Sequence, residues 1–199
     1  MKISLHRIIA YILGLIILSF GISLVIRANI GTGAWDALNV GLSQKVGLTV
    51  GSWVIIVGFI LIAVNAFLLK ERPDFPAMIT ILLIGFLIDG WLFLLQWETN
   101  QWVWQFLLFS LGTLVIAVGL AVYFQAQFAM TSVDKLMYAI SKRTGFSLRV
   151  SKTIGEVLAL ILAWLLEGPI GIGTILITFL IGPLLQFFLP KIEPFFQKK

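Results

Sequence analysis

Two aspartates, Asp36 and Asp134, hold matching places in a chain that is otherwise sparing with charge. Each closes a short run of small or hydroxylated residues: Thr32-Gly33-Ala34-Trp35-Asp36 in one case, Thr131-Ser132-Val133-Asp134 in the other. Such residues start helices, because their side chains satisfy free backbone N–H groups and an acid in the first turn meets the positive end of the helix dipole. Capping alone would account for both acids. A helix start held within a membrane can do more, since its unpaired N–H groups and the adjacent acid can hold a cation, a proton or a substrate amine. Thr32, Trp35, Thr131 and Ser132 belong to these constellations, and Asn29 and Gln127, polar in both, are candidates to line the same cavity.

Asp89 and Glu156 fall inside apolar runs, where ionisable groups are costly enough to count as functional candidates. Plainer roles compete with that one. Lys152 stands one helical turn before Glu156 and can pair with it, and Trp91 fits Asp89 to an interface as well as to the interior. Gly171, Gly173 and Thr174 open the last apolar run, where close helix packing is the simpler role and ligand contact the alternative. Arg27 and Gln125 end equivalent runs and read as interface anchors. His6 stands alone, and with no cysteine there is no disulfide or thiolate metal site. No Ser/His/Asp set, metal-ligand cluster or phosphate loop is present, so no catalytic residue, enzyme activity, metal or cofactor is expected.

The elements that must position these groups repeat. A shift of 98 residues lays Gly14 on Gly112, Gly21 on Gly119, Ala28 on Ala126, Asp36 on Asp134, Leu38 on Leu136, Ser43 on Ser141 and Gly47 on Gly145. Repetition of this kind is the first thing to read, since it decides the fold. Spans are expected at 8–26, 50–69, 77–95, 104–124 and 170–189, with short helices at 34–45 and 133–142. A further span is placed by the repeat around 157–166, an apolar stretch too short to cross alone, preceded by Arg149, Lys152 and Glu156. Pro190 and a basic tail are expected to follow the last span. Glycines in register with an interior span argue that 8–26 is a membrane helix, not a signal peptide.

A mean hydropathy of +1.06 over 199 residues leaves no room for a soluble domain. The net charge of +5 needs no nucleic acid, because the basic residues sit between apolar runs where topology explains them. With the N-terminus cytoplasmic and six crossings, the inner side holds Lys2, Arg7, Lys70, Arg72, Lys135, Lys142, Arg143, Arg149, Lys152, Lys191, Lys198 and Lys199, and the outer side only Arg27 and Lys45. Both termini are therefore expected inside. Each half, 1–96 and 101–190, then crosses three times, so the second is inverted relative to the first. The expected fold is an all-α polytopic membrane protein of six transmembrane helices, two inverted three-helix repeats that each carry a short amphipathic or re-entrant helix.

Three stretches carry a resemblance: Gly-Ala-Trp-Asp-Ala-Leu at 33–38, Thr-Ser-Val-Asp-Lys-Leu-Met at 131–137 and Gly-Ile-Gly-Thr-Ile-Leu at 171–176. With these the whole chain resembles the YczE/YitT group of bacterial integral membrane proteins. The sequence departs from that group in having Ala34 where proline is expected, and Ser132, Val133 and Lys135 where Pro, Arg and Gly are expected. The resemblance implies a bacterial inner-membrane protein and names no substrate. The architecture points to a small secondary transporter or permease with a site between the repeats. Its expected partners are the lipid bilayer and a small-molecule or ion substrate, with a homo-oligomer left open. The alternative is a non-transporting accessory protein that supports another membrane or secretion component.

Overall fold

The computed structural model describes residues 5–97, 100–128 and 130–196. Lys2, Lys198 and Lys199, assigned above to the inner side, lie outside the described residues, as do Glu98 and Thr99 of the mid-chain connection. Among the described residues there are eight helices and no strand: α1 (Leu5–Ala28), α2 (Ala34–Val46), α3 (Val50–Leu69), α4 (Phe75–Leu94), α5 (Trp102–Gln125), α6 (Ser132–Thr144), α7 (Leu148–Leu165) and α8 (Ile172–Phe196). Helix is what an apolar chain adopts in lipid, where each backbone polar group must be satisfied within its own segment. Five of them, α1, α3, α4, α5 and α8, are long and apolar enough to cross a bilayer, which makes this a multi-pass membrane protein. The expected sixth, α7, has the length of 18 residues but spends its first turns on Arg149, Lys152 and Glu156.

The repeat persists in local geometry. Asn29 and Gln127 both adopt the left-handed conformation, at φ 53 and 50, and each N–H returns to a carbonyl three residues back. Gly47 and Gly145 follow α2 and α6 at φ 93 and 79, where an L side chain would be strained. The hydroxyls of Ser43 and Ser141 then donate to the carbonyls of Leu48 and Phe146, five residues on in each case. Thr49 and Ser147 cap the next helices by accepting from Ser52 N–H and Val150 N–H.

The last helix extends past its expected span: α8 runs through Pro183, Pro190 and Pro194 to Phe196. A proline removes one ladder bond, whereas leaving the helix in an apolar setting would strip several backbone groups of partners.

Two compact units form, and each draws on both halves of the sequence. The first consists of residues 1–33, 87–128 and 171–199 and is built around α1 and α5. These run antiparallel and approach through glycine. A Cβ on Gly14 would lie 2.6 Å from the Tyr123 backbone, and one on Gly119 would lie 2.5 Å from Leu18 N. Gly21 faces Ile116 and Gly112 faces Val25 in the same register, so the contacts descend along α5 as they climb along α1. Buried Ser23 and Thr113 donate to carbonyls one turn back, which lets hydroxyls sit in this apolar pair. At one end Arg7 donates to the carbonyls of Ala126 and Gln127.

The second unit, residues 34–86 and 129–170, contains α2, α3, α6, α7 and the first part of α4. Here each short helix packs on the long helix of the other half, α2 on α7 and α6 on α3. The small stripe Ser151, Gly155, Ala159 and Ala163 is the buried face of α7. Ala163 meets Ala37 and Leu38 of α2, and Gly155 lies toward Leu136 of α6. A separate cluster of Ile62, Ala77 and Ile81 joins α3 to α4.

Candidate functional site

The second turn is built as the sequence anticipates. Thr131 precedes α6 in extended conformation, and its Oγ1 accepts from the Asp134 N–H at 3.1 Å. The same hydroxyl donates to Asp134 Oδ2 at 2.8 Å, so Asp134 is fixed in the first turn of α6. Ser132, buried, gives its carbonyl to the Asn65 Nδ2 of α3 at 2.8 Å. Thr131 therefore caps α6 and holds the Asp134 carboxylate in place through one oxygen, leaving the second unused.

The first turn is built differently. Thr32 is fully buried, and its hydroxyl reaches only the Gly33 carbonyl at 3.4 Å, so it does not cap α2 as Thr131 caps α6. Asp36, half-buried, has no hydrogen-bond or ion-pair partner among the described residues. The neighbouring Trp35 packs against the Ala37, Leu38 and Ala163 cluster, and its buried Nε1 also lacks a partner. Burial pushes the Asp36 carboxyl up to about 7, with repulsion from Glu156 adding to the rise.

Glu156 is what relates the two aspartates. It lies on α7, which packs on both short helices, and it is within electrostatic reach of Asp36 on α2 and of Asp134 on α6. Lys152, one turn earlier, also acts on Glu156, but no ion pair closes between them among the described residues. The three carboxylates stay too far apart to share one metal: among the described residues, no three acids or histidines come close enough to hold an ion. Nothing in the repeat marks Glu156, because its counterpart is Gly58, which instead packs closely on Ile81.

The remaining candidates fall elsewhere. Asn29 and Gln127 are exposed and serve as left-handed helix ends in the first unit. That conformation suits asparagine well, which gives Asn29 a backbone reason. Gly171, Gly173 and Thr174 pack on the first turn. Gly173 N–H donates to the Ile30 carbonyl at 2.8 Å, and Gly171 N–H donates to Thr174 Oγ1 at 3.2 Å. A Cβ on Gly31 would sit 2.7 Å from Gly171 N, and one on Gly173 would sit 2.5 Å from the Gly31 carbonyl. The motif is thus a backbone-to-backbone seat in which side chains have no room. Asp89 lies half-buried in the last third of α4. Near it, Arg27 donates to the Leu92 carbonyl at 2.5 Å, and Phe20 stacks obliquely on Trp91 at 4.8 Å.

Sequence reasoning did not single out the Lys135–Asp74 ion pair, closed at 2.8 Å with only 20% and 17% of the two side chains exposed. Lys135 was legible as an inner-side charge and as a departure from the resembled group, but not as the partner of Asp74. With Met130 and Tyr138 they line a small open cleft.

A relative called an uncharacterized membrane protein YczE, from Bacillus subtilis (strain 168), is 37% identical over 182 residues, covering 91% of this chain and 84% of its own. A second protein of that organism, the uncharacterized protein YyaS, is 41% identical over 191 residues, 95% of both chains. An uncharacterized protein of Haemophilus influenzae Rd is 27% identical over 176 residues, 87% of this chain and 78% of its own. No solved structure matches the chain. The family model described as a family of unknown function, DUF6198, matches residues 5–190. The chain belongs to that family, and its YczE-type relatives are those its three motif stretches resemble.

Proposed function

We propose that this protein is a small secondary transporter or permease of the bacterial inner membrane, with a binding site formed by the starts of α2 and α6 together with α7. The observation that carries the reading is the packing of α7, which bears Glu156, on both α2 and α6, which bear Asp36 and Asp134, one acid from each half of the sequence. Broken or short helices of two repeats that present polar starts to each other are the usual way transporters build a site. In this reading α7 is the sixth crossing, since 18 helical residues span about 27 Å against a hydrocarbon core of about 30 Å. Both termini are cytoplasmic, following the excess of Lys and Arg on the inner side. The register of α1 on α5 supports inversion of the halves. Gly14 meets Tyr123 as its counterpart Gly112 meets Val25, and a two-fold that exchanges antiparallel helices runs perpendicular to them. No enzymatic step and no cofactor enters this mechanism.

A flux screen in proteoliposomes tests the reading. Wild-type protein is expected to move at least one solute, and Asp36→Asn and Asp134→Asn to slow that flux together; unchanged flux in the double variant removes both acids from the mechanism. Single cysteines at the two positions, in a chain free of native cysteine, test the geometry. Labelling of each only from an opposite aqueous face, with no mutual protection, would refute a shared site.

A second reading has its own observation. Gly90 on α4 and Gly182 on α8 have no atom within 4 Å of where a Cβ would lie, so each helix carries an open small-residue position able to receive another membrane helix. An accessory protein that supports another membrane component would use such positions, and would show no flux in the screen.

A further inference from the structure

The charge class of the ligand follows from the atoms that the second unit leaves unpaired, and this step rests on the binding reading above. Asn39 is 5% exposed and lies three residues after Asp36, on the same face of α2, with no partner for its Oδ1. Asn65 is 1% exposed; its amide nitrogen is committed to the Ser132 carbonyl, which leaves Oδ1 unpaired beside the start of α6. Ser151, fully buried on α7, leaves its Oγ unpaired. To these acceptors are added the carboxylates of Asp36 and Glu156, neither of which closes an ion pair among the described residues. Among the described residues of this unit the unpaired buried donors are Trp35 Nε1 and the hydroxyl of Ser151.

Acids outnumber bases around Asp36. The packed helix α3 carries no ionisable residue. The packed helix α7 brings Glu156, whose own neighbours are Lys152 and Asp134. In the turn after α7, Glu167 is paired with Lys45 at 2.6 Å and faces water. The cation within reach is Lys152, exposed on α7 one turn before Glu156, against the three acids Asp36, Asp134 and Glu156. A cation would meet the half-buried carboxylates of Asp36 and Glu156 and buried amide and hydroxyl oxygens, the kind of ligand set hard cations and ammonium groups prefer.

We propose that this site binds one monovalent cationic centre, a sodium-like ion or the ammonium head of a small amine, and gives up one proton as it does so. The balance is simple: a carboxylic acid of the Asp36–Glu156 pair becomes a carboxylate, its proton leaves to solvent, and the incoming positive charge replaces it. The elevated Asp36 carboxyl supplies the proton near neutral pH.

Proton release in weakly buffered detergent solution tests this with the full chain. Additions of sodium chloride and of methylammonium chloride are followed with a pH indicator, against N-methylglucamine chloride at matched ionic strength. The expected result at about pH 6, where the Asp36 carboxyl is mostly protonated, is saturable release of about one proton per chain with sodium, methylammonium or both, the responding salt identifying the source of the charge. The apparent Kd should rise about tenfold per pH unit below 7, as one proton competes with one cation. Asp36→Asn and Glu156→Gln should lose the release, while Asp89→Asn should keep it. Absence of saturable release with either salt, a pH-independent Kd in the wild-type protein, or full release in both variants would overturn the proposal. The pH dependence uses no variant and so stands apart from any folding defect. Release without flux in vesicles would keep the cation site and remove transport; flux of a neutral or anionic solute without release would do the reverse.

Discussion

Replacing Gly14 or Gly119 by alanine tests how the first unit is held together. A Cβ at Gly14 would fall 2.6 Å from both Cα and N of Tyr123, and one at Gly119 would fall 2.5 Å from Leu18 N. Non-bonded carbon atoms prefer about 3.5–4.0 Å, so α1 and α5 must part by roughly 1 Å to admit either methyl group. The obstructing atoms are backbone, which no rotamer change can move. Overpacking of this kind costs about 1–3 kcal/mol, against which alanine regains about 0.5–1 kcal/mol of the helix entropy that glycine loses. A net loss of about 1–2 kcal/mol per site remains. Gly90→Ala and Gly182→Ala are the internal controls, since nothing lies within 4 Å of either added methyl and only the gain should appear. Gly112→Ala should fall between, because its nearest obstacle, Val25 Cγ2 at 2.8 Å, is a side chain. Reversible unfolding in mixed micelles of rising dodecyl sulfate content reads all five. Stabilities of Gly14→Ala and Gly119→Ala equal to that of Gly90→Ala would refute the close α1–α5 crossing.

Two further outcomes follow from the turns. Thr131→Ala removes both the cap on the Asp134 N–H and the hydroxyl that orients its carboxylate, so it should cost about 1 kcal/mol in the same unfolding assay, whereas Thr32→Ser should cost little as cap loss. Asp36 titrates higher in the folded protein than its ordinary 3.8, so its stabilising influence is fully present below about pH 4 and is lost as pH rises toward 7. Asp36→Asn should therefore match wild type near pH 4 and become the more stable protein by pH 8; parallel stability curves across that range would show that Asp36 is well solvated.

The residues themselves determine much of this molecule. Runs of Leu, Ile, Val and Phe long enough to span a bilayer leave helix as the only economical backbone, and the recurrence of Gly14, Asp36, Ser43 and Gly47 at a fixed interval carries local geometry with it. That is why the helix order, the capping of α6 by Thr131 and the left-handed glycines after α2 and α6 were legible: each depends on neighbours within a few residues. Gly171, Gly173 and Thr174 were legible as important, but not as the seat for Ile30 and Gly31, since their partner lies at the other end of the chain.

Glu156 shows where local reading stops. It has no acidic counterpart in the first half, it stands in the least apolar of the long helices, and beside Lys152 it has a sufficient explanation at helical spacing. Only the packing of α7's small face against both α2 and α6 places it near Asp36 and Asp134 and leaves Asn39, Asn65 and Ser151 buried with unpaired oxygens. Composition and periodicity determine which segments are helical and which residues repeat. Which of those residues come together depends on how closely particular faces approach, and that is set by contacts between helices far apart in the chain.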